Sequence, residues 1–148
     1  MLRGQRPVVA LENPSVEKAV ELVRKALSKR RVLVIVGNCW VNYRGRASSK
    51  LEPGERIVVI KEDGSVLVHR SSGYEPVNWQ PPGCLFHTHV VDGVLQIRAV
   101  RKKPAESVKL FFDRVYLVSA LSLVDAGEFS LYASEEDMQK AILLEPSL

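Results

Sequence analysis

The chain has 148 residues, enough for one domain with a single core, and its 46% hydrophobic and 26% charged composition excludes a disordered or low-complexity polymer. The net charge of +4 hides a gradient: eleven Lys/Arg stand against three Asp/Glu in residues 1–50, seven against six in 51–103, and three against eight in 104–148. A basic front half points to a polyanionic partner, while the acidic remainder argues against a uniformly adhesive cation.

The longest apolar run, Val32 to Val36, falls far short of the roughly 18 residues that cross a bilayer. The N-terminus passes from Arg3 and Arg6 into Glu12, Pro14 and Glu17 with no apolar signal core. A soluble cytoplasmic protein is expected, with Cys39 and Cys84 as reduced thiols.

In chain order, Asn13-Pro14 is a helix start, and Val16, Ala19, Val20, Val23 and Leu27 recur at helical spacing. Glu17 in the first turn and Lys29, Arg30 and Arg31 at the end complement the helix dipole, so a helix is predicted over 14–30. From Val32 the pattern changes to short β-rich runs separated by turn signals. Val32–Val36 and Cys39–Tyr43 flank Gly37-Asn38, a two-residue hairpin turn by composition. Arg56–Lys61 pairs with Ser65–Arg70 through Asp63-Gly64, and Cys84–Val91 with Val94–Arg101 through Asp92-Gly93. Val108–Phe112, Arg114–Ser119 and Glu128–Ala133 add strands, and Ser134 opens a short helix near 135–144. The expected fold is mainly β with flanking helices, a half-open antiparallel barrel or sandwich in one domain over 1–148.

Between two strands lies Glu75-Pro76-Val77-Asn78-Trp79-Gln80-Pro81-Pro82-Gly83. Prolines fix this backbone before any ligand arrives, and at its centre Trp79 offers a plane for base stacking. Asn78 both donates and accepts, which suits the edge of a nucleobase. The competing interpretation makes Trp79 a core plug and Asn78 a turn residue. Tyr43-Arg44-Gly45-Arg46-Ala47-Ser48-Ser49-Lys50 combines cations with short donors, as phosphate contacts require, and Arg70 and the clusters at 29–31 and 101–103 add charge. His87 and His89 share a strand face and His69 lies on another strand, but no neighbouring carboxylate completes a ligand set, so no metal site is expected. No Asp followed by Glu-x-Lys, no Walker loop and no Gly-x-Ser-x-Gly occurs, which leaves no catalytic centre in view.

Taken together, Arg31-Val-Leu-Val-Ile-Val-Gly37, Tyr43-x-Gly45-Arg46-Ala47-Ser48-Ser49, Ile60-Lys61-x-Asp63-Gly64 and Tyr74-x-Pro76-Val77-Asn78-Trp79-Gln80-Pro81-Pro82-Gly83 resemble the N-terminal domain of the NucS/EndoMS endonucleases, which act on mismatched or branched DNA. The resemblance implies a half-open β-barrel that dimerises and grips DNA, followed in the family by a RecB-like nuclease domain. It also implies that Trp79 stacks on a flipped base, that Asn78 meets the base edge, and that Arg46 holds the DNA backbone. By charge and position, Arg44, Ser48 and Arg70 join Arg46 as backbone contacts. The nuclease domain and its magnesium or manganese site are expected to be absent from this chain, so no cofactor and no cleavage by it alone are expected. The partners expected are mismatched, branched or single-stranded DNA, a second copy of the chain, and a nuclease domain in cis or trans. The alternatives are a stand-alone DNA binder or dimerisation adaptor without cleavage and, less favoured, a metal hydrolase on His69, His87 and His89.

Overall fold

The computed structural model describes residues 7–132. Its elements are β1 (Val8–Glu12), α1 (Val16–Ser28), β2 (Val32–Arg44), β3 (Ser48–Ile60), β4 (Val66–His69), β5 (Asn78–Gln80), β6 (Leu85–Val91), β7 (Val94–Lys102) and β8 (Ala105–Leu121). The strands form one antiparallel sheet in the order β5-β4-β3-β2-β8-β7-β6, with β1 added alongside β8. The sheet is not closed, because β5 and β6 are its two ends. Helix α1 packs on β8, β6, β7 and β2, and its Ala19, Val20, Val23 and Ala26 join the core of Leu33, Ile35, Ile97, Leu110 and Phe112.

The helix obeys its apolar stripe, but its ends differ from expectation. Ser15, not Asn13, is the cap: its hydroxyl accepts from the Lys18 N–H at 3.2 Å. Asn13 is diverted into a left-handed turn at φ 48°, where its N–H donates to the Tyr116 carbonyl at 2.8 Å. At the far end Arg30 takes φ 52°, its N–H bonds Leu27 and that of Arg31 bonds Ala26. This paired closure ends the helix at Ser28, short of the predicted 30, with an arginine in the position glycine usually holds.

The Asp63-Gly64 and Asp92-Gly93 turns form as expected, with Gly64, Asp92 and Gly93 all at positive φ. Gly37-Asn38 does not turn: it lies inside the 13-residue strand β2, between β3 and β8. A Cβ on Gly37 would sit 2.1 Å from the Arg114 carbonyl oxygen, so the glycine is required by a close approach of backbones. The β2–β8 register shifts there between Val36 and Gly37 and again between Asn38 and Cys39. Asn38 Nδ2 donates to Asp113 Oδ1 at 2.9 Å across this bulge. The runs predicted at 108–112 and 114–119 are thus one bulged strand of 17 residues.

A second irregularity lies opposite, between Cys39 and Val41 on β2 where it meets β3. Here the buried Arg56 guanidinium donates to the carbonyls of Cys39 and Glu52, and Gly54 leaves it room. The adjacent Cys39 thiol is pushed up to about 12 by burial, against the opposing pull of Arg56.

Two further expectations fail. Strand β1 went unforeseen because five residues without alternation carry no strand signal, and residues 128–132 form no strand although 128–133 was predicted. The flank of β8 beyond the end of β7 is taken by β1, which pairs with 117–121. Phe129 and Leu131 accordingly stand exposed. The helix predicted at 135–144 lies outside the described residues.

Gly37→Ala is expected to lower unfolding stability by about 2–3 kcal/mol, because the opposing group is backbone and cannot rotate away. A wild-type urea midpoint in that variant would show that β8 yields instead. The Cys39 thiol keeps its proton in the fold to about 12, whereas the ordinary value is 9.0, so its contribution to stability is intact below pH 9.0 and is lost as pH rises towards 12. Urea titrations across that window should fall more steeply for the wild type than for Cys39→Ala; parallel slopes would remove the thiol as the cause.

Candidate nucleic-acid interface

One end of the sheet gathers the tips of β2, β3, β7 and β8 with the short edge strand β5. The β2–β3 connection is closed by the Gly45 N–H donating to Ala47 at 3.0 Å. A Cβ at Gly45 would lie 2.2 Å from the Tyr43 hydroxyl, so glycine here leaves room for the tip of that ring. Above it the Tyr43 hydroxyl donates to Glu106 Oε2 at 2.6 Å, and Arg101 Nη1 donates to Glu106 Oε1 at 3.1 Å. The hydrogen bond to Glu106 raises the Tyr43 phenol above its ordinary value, with the Arg101 and Arg46 charges opposing the shift.

The stretch expected to be a loop contains a strand, Asn78–Gln80, pairing Asn78 with Val68 and Trp79 with Leu67. Successive strand residues face opposite ways, so Asn78 and Gln80 turn to the inner face with Val68 and Val66, and Trp79 turns outward with Leu67. Trp79 is 61% exposed, which excludes the core plug. Both Asn78 and Trp79 nevertheless border one hollow of about 500 Å³, together with Tyr43, Ser49, Arg101 and Glu106. The hollow reaches both because β5 is the last strand of the sheet. Asn78 Oδ1 is buried and has no hydrogen-bond partner among the described residues.

Arg44 and Ser48 occupy a different hollow of about 260 Å³, lined also by Asn42, Lys50, Arg98, Ser107 and Lys109. These residues alternate with the buried Val41, Ala99 and Val108, which puts them on the outer face. Arg46 is exposed at the tip and acts on Tyr43 through its charge, but lines neither hollow. Arg70 follows the last residue of β4, exposed, and also lines neither. Arg30 and Arg31 border a third hollow, between the end of α1, the β3–β4 turn and the start of β6. The basic clusters therefore do not converge on one groove.

Sequence reasoning missed Glu106, Lys109 and Arg98 as site residues. Their parity along β7 and β8 was visible, but the register that joins them to Arg44 and Tyr43 runs through the bulges. His87 and His89 lie exposed on β6 and His69 on β4, and no group of three or more His, Cys, Asp or Glu suited to a metal occurs among the described residues. No helix among them is long and apolar enough to cross a membrane.

A family model described as the endonuclease NucS N-terminal PH-like domain matches residues 29–128. The chain is 38% identical over 141 residues to the endonuclease NucS of Thermococcus kodakarensis, covering 95% of this chain and 56% of that protein. It is 40% identical over 143 residues to the NucS of Pyrococcus horikoshii, covering 97% of this chain and 55% of that protein. Among solved structures, an EndoMS–dsDNA2 complex aligns with a TM-score of 0.83 at 37% identity, over 97% of this chain and 60% of that one. A repair endonuclease from Pyrococcus abyssi aligns with a TM-score of 0.70 at 36% identity, over 95% and 58%. The chain spans a little over half the length of the curated relatives it matches. From this agreement of sequence model, relatives and fold, the chain belongs to the NucS endonuclease family, as its N-terminal domain.

Proposed function

We propose that this domain binds DNA and captures an unpaired or extruded base at the free edge of β5, serving a mismatch- or structure-specific endonuclease. One observation carries the reading: Asn78 Oδ1 is a buried acceptor without a donor among the described residues, bordering a hollow large enough for a nucleobase and rimmed by exposed Trp79. A buried acceptor left unmatched costs about 1–3 kcal/mol, which an amino or imino N–H of a base would recover. Stacking on Trp79 adds about 1–3 kcal/mol. Extrusion costs a few kcal/mol and is cheapest where pairing is already poor, so these gains suffice at a mismatch and fall short in a matched duplex.

The base lies across the edge of β5, since only there can one ligand meet Asn78 from the inner face and Trp79 from the outer. Arg46, Arg44, Ser48 and Arg70 hold the backbone on either side. The described residues do not fit a divalent metal, lacking a cluster of three suitable ligands. Cleavage with magnesium or manganese belongs in this reading to a nuclease domain in cis or trans.

A second reading, pairing of two copies through Trp79, has an observation of its own. Trp79, Leu67, Val59 and Val34 stand side by side in register on the outer face of four adjacent strands. On this second reading that row is the surface of the expected homodimer.

Trp79→Ala separates the two. Base capture predicts an affinity loss of about 5- to 100-fold for mismatched or single-stranded DNA, a much smaller loss for matched duplex, and an unchanged native mass. Equal losses on every substrate together with a halved mass would assign Trp79 to the interface. Arg46→Ala is expected to weaken binding to all sequences and to lower the slope of log affinity against log salt by about one; an unaltered slope would remove Arg46 from the phosphate contacts.

A further inference from the structure

Register places Lys50 opposite Asn42, Asn42 opposite Lys109, Lys109 opposite Arg98, and Arg98 opposite His87. Directly paired residues share a face, so these side chains form one straight row across five strands on the outside of the sheet. Arg44, flanked by Ser48 and Ser107, begins the next row. The hollow between them, about 260 Å³, has no carboxylate in its lining among the described residues. Among the described residues, Arg44, Lys50, Arg98 and Lys109 make no ion pair; the single salt bridge joins Arg101 to Glu106.

Such a row works against the sheet that carries it. Lys109 directly opposite Arg98 is a like-charge cross-strand pair, which destabilises. An anion laid along the row would relieve that repulsion. Strands are about 4.8 Å apart, so the row runs about 19 Å. Phosphates of a nucleic-acid strand advance about 3.4 Å each along the helix axis while winding round it, so the row is long enough to meet a few consecutive ones. The short donors beside the cations, the Ser48 and Ser107 hydroxyls and the Asn42 amide, are groups that bond phosphate oxygens, and among the described residues no apolar side chain lines the hollow to favour a protein partner except the ring of Tyr43.

We propose that this outer cationic row is a track for the nucleic-acid phosphate backbone, separate from the inner hollow where Asn78 lies. Tyr43 and Ser49 border both hollows, so the strand passes over the tip at 44–48, its backbone held outside and its base turned in. The proposal rests on the DNA reading above and adds the path and the face.

The test uses the 148-residue chain and a labelled matched duplex, with affinity measured by fluorescence anisotropy over a salt series. The variant K50Q/R98Q/K109Q is expected to reduce the slope of log affinity against log salt by about 2–3, with a melting temperature equal to or above that of the wild type once the like charges are gone. K50R/K109R, which keeps both charges, is expected to keep the slope even if packing shifts. Trp79→Ala is expected to leave the slope untouched. A steep slope retained in the glutamine variant would overturn the track and leave base capture standing. A wild-type chain without salt-dependent DNA binding would overturn both. Equal loss of slope in the arginine and glutamine variants would show a structural effect and overturn the track.

Discussion

The sheet depends on one close approach, the backbone of Gly37 in β2 against the Arg114 carbonyl of β8. These are the two central strands, and each is paired on both sides. Bulges on either side of the contact shorten one strand relative to the other, which bends the pair and increases its twist. Asn38 bonded to Asp113 and Arg56 bonded to the Cys39 and Glu52 carbonyls fix the bends in place. The curvature lets a single sheet enclose a core with, among the described residues, one helix over it. It also carries the ends of β2, β3, β7 and β8 round to meet β5, so the architecture of the hollow at Asn78 begins at a glycine many residues away.

Charge is handled differently on the two faces of that sheet end. Inside, Glu106 receives both Tyr43 and Arg101, leaving a hydrogen-bonded, nearly neutral wall beside the unmatched amide oxygen of Asn78. Outside, no carboxylate of the described residues lines the hollow among Arg44, Lys50, Arg98 and Lys109. A neutral, donor-seeking interior suits recognition of a base edge, where desolvating a bare charge would be costly. An uncompensated exterior suits a phosphate chain, for which affinity comes from displaced counterions.

What the sequence disclosed depended on how local each cause was. Asp63-Gly64 and Asp92-Gly93 were legible as turns because the need for positive φ is met within two residues. Gly37-Asn38 carries the same composition, yet its glycine answers to a carbonyl 77 positions along the chain, which no window around it contains. Asn78 and Trp79 stood out in the sequence by residue type and by their proline frame. Their opposite facing was not, because it follows from a three-residue pairing with β4 that the prolines concealed. The parity of Lys109 and Arg98 could be read from their strands, but not the register that sets them beside each other and, across Asn42, in line with Lys50.

Among the described residues, strand β5 leaves one side of its backbone unpaired at the end of a sheet, a position that invites a foreign strand to add on. Its length of three residues and the prolines before and after it, Pro76, Pro81 and Pro82, deny such a strand a continuous ladder. An edge kept short in this way stays accessible to a flat, compact guest such as the base proposed above. Protection against aggregation and access for that proposed ligand then come from the same short strand, and lengthening β5 would sacrifice both together.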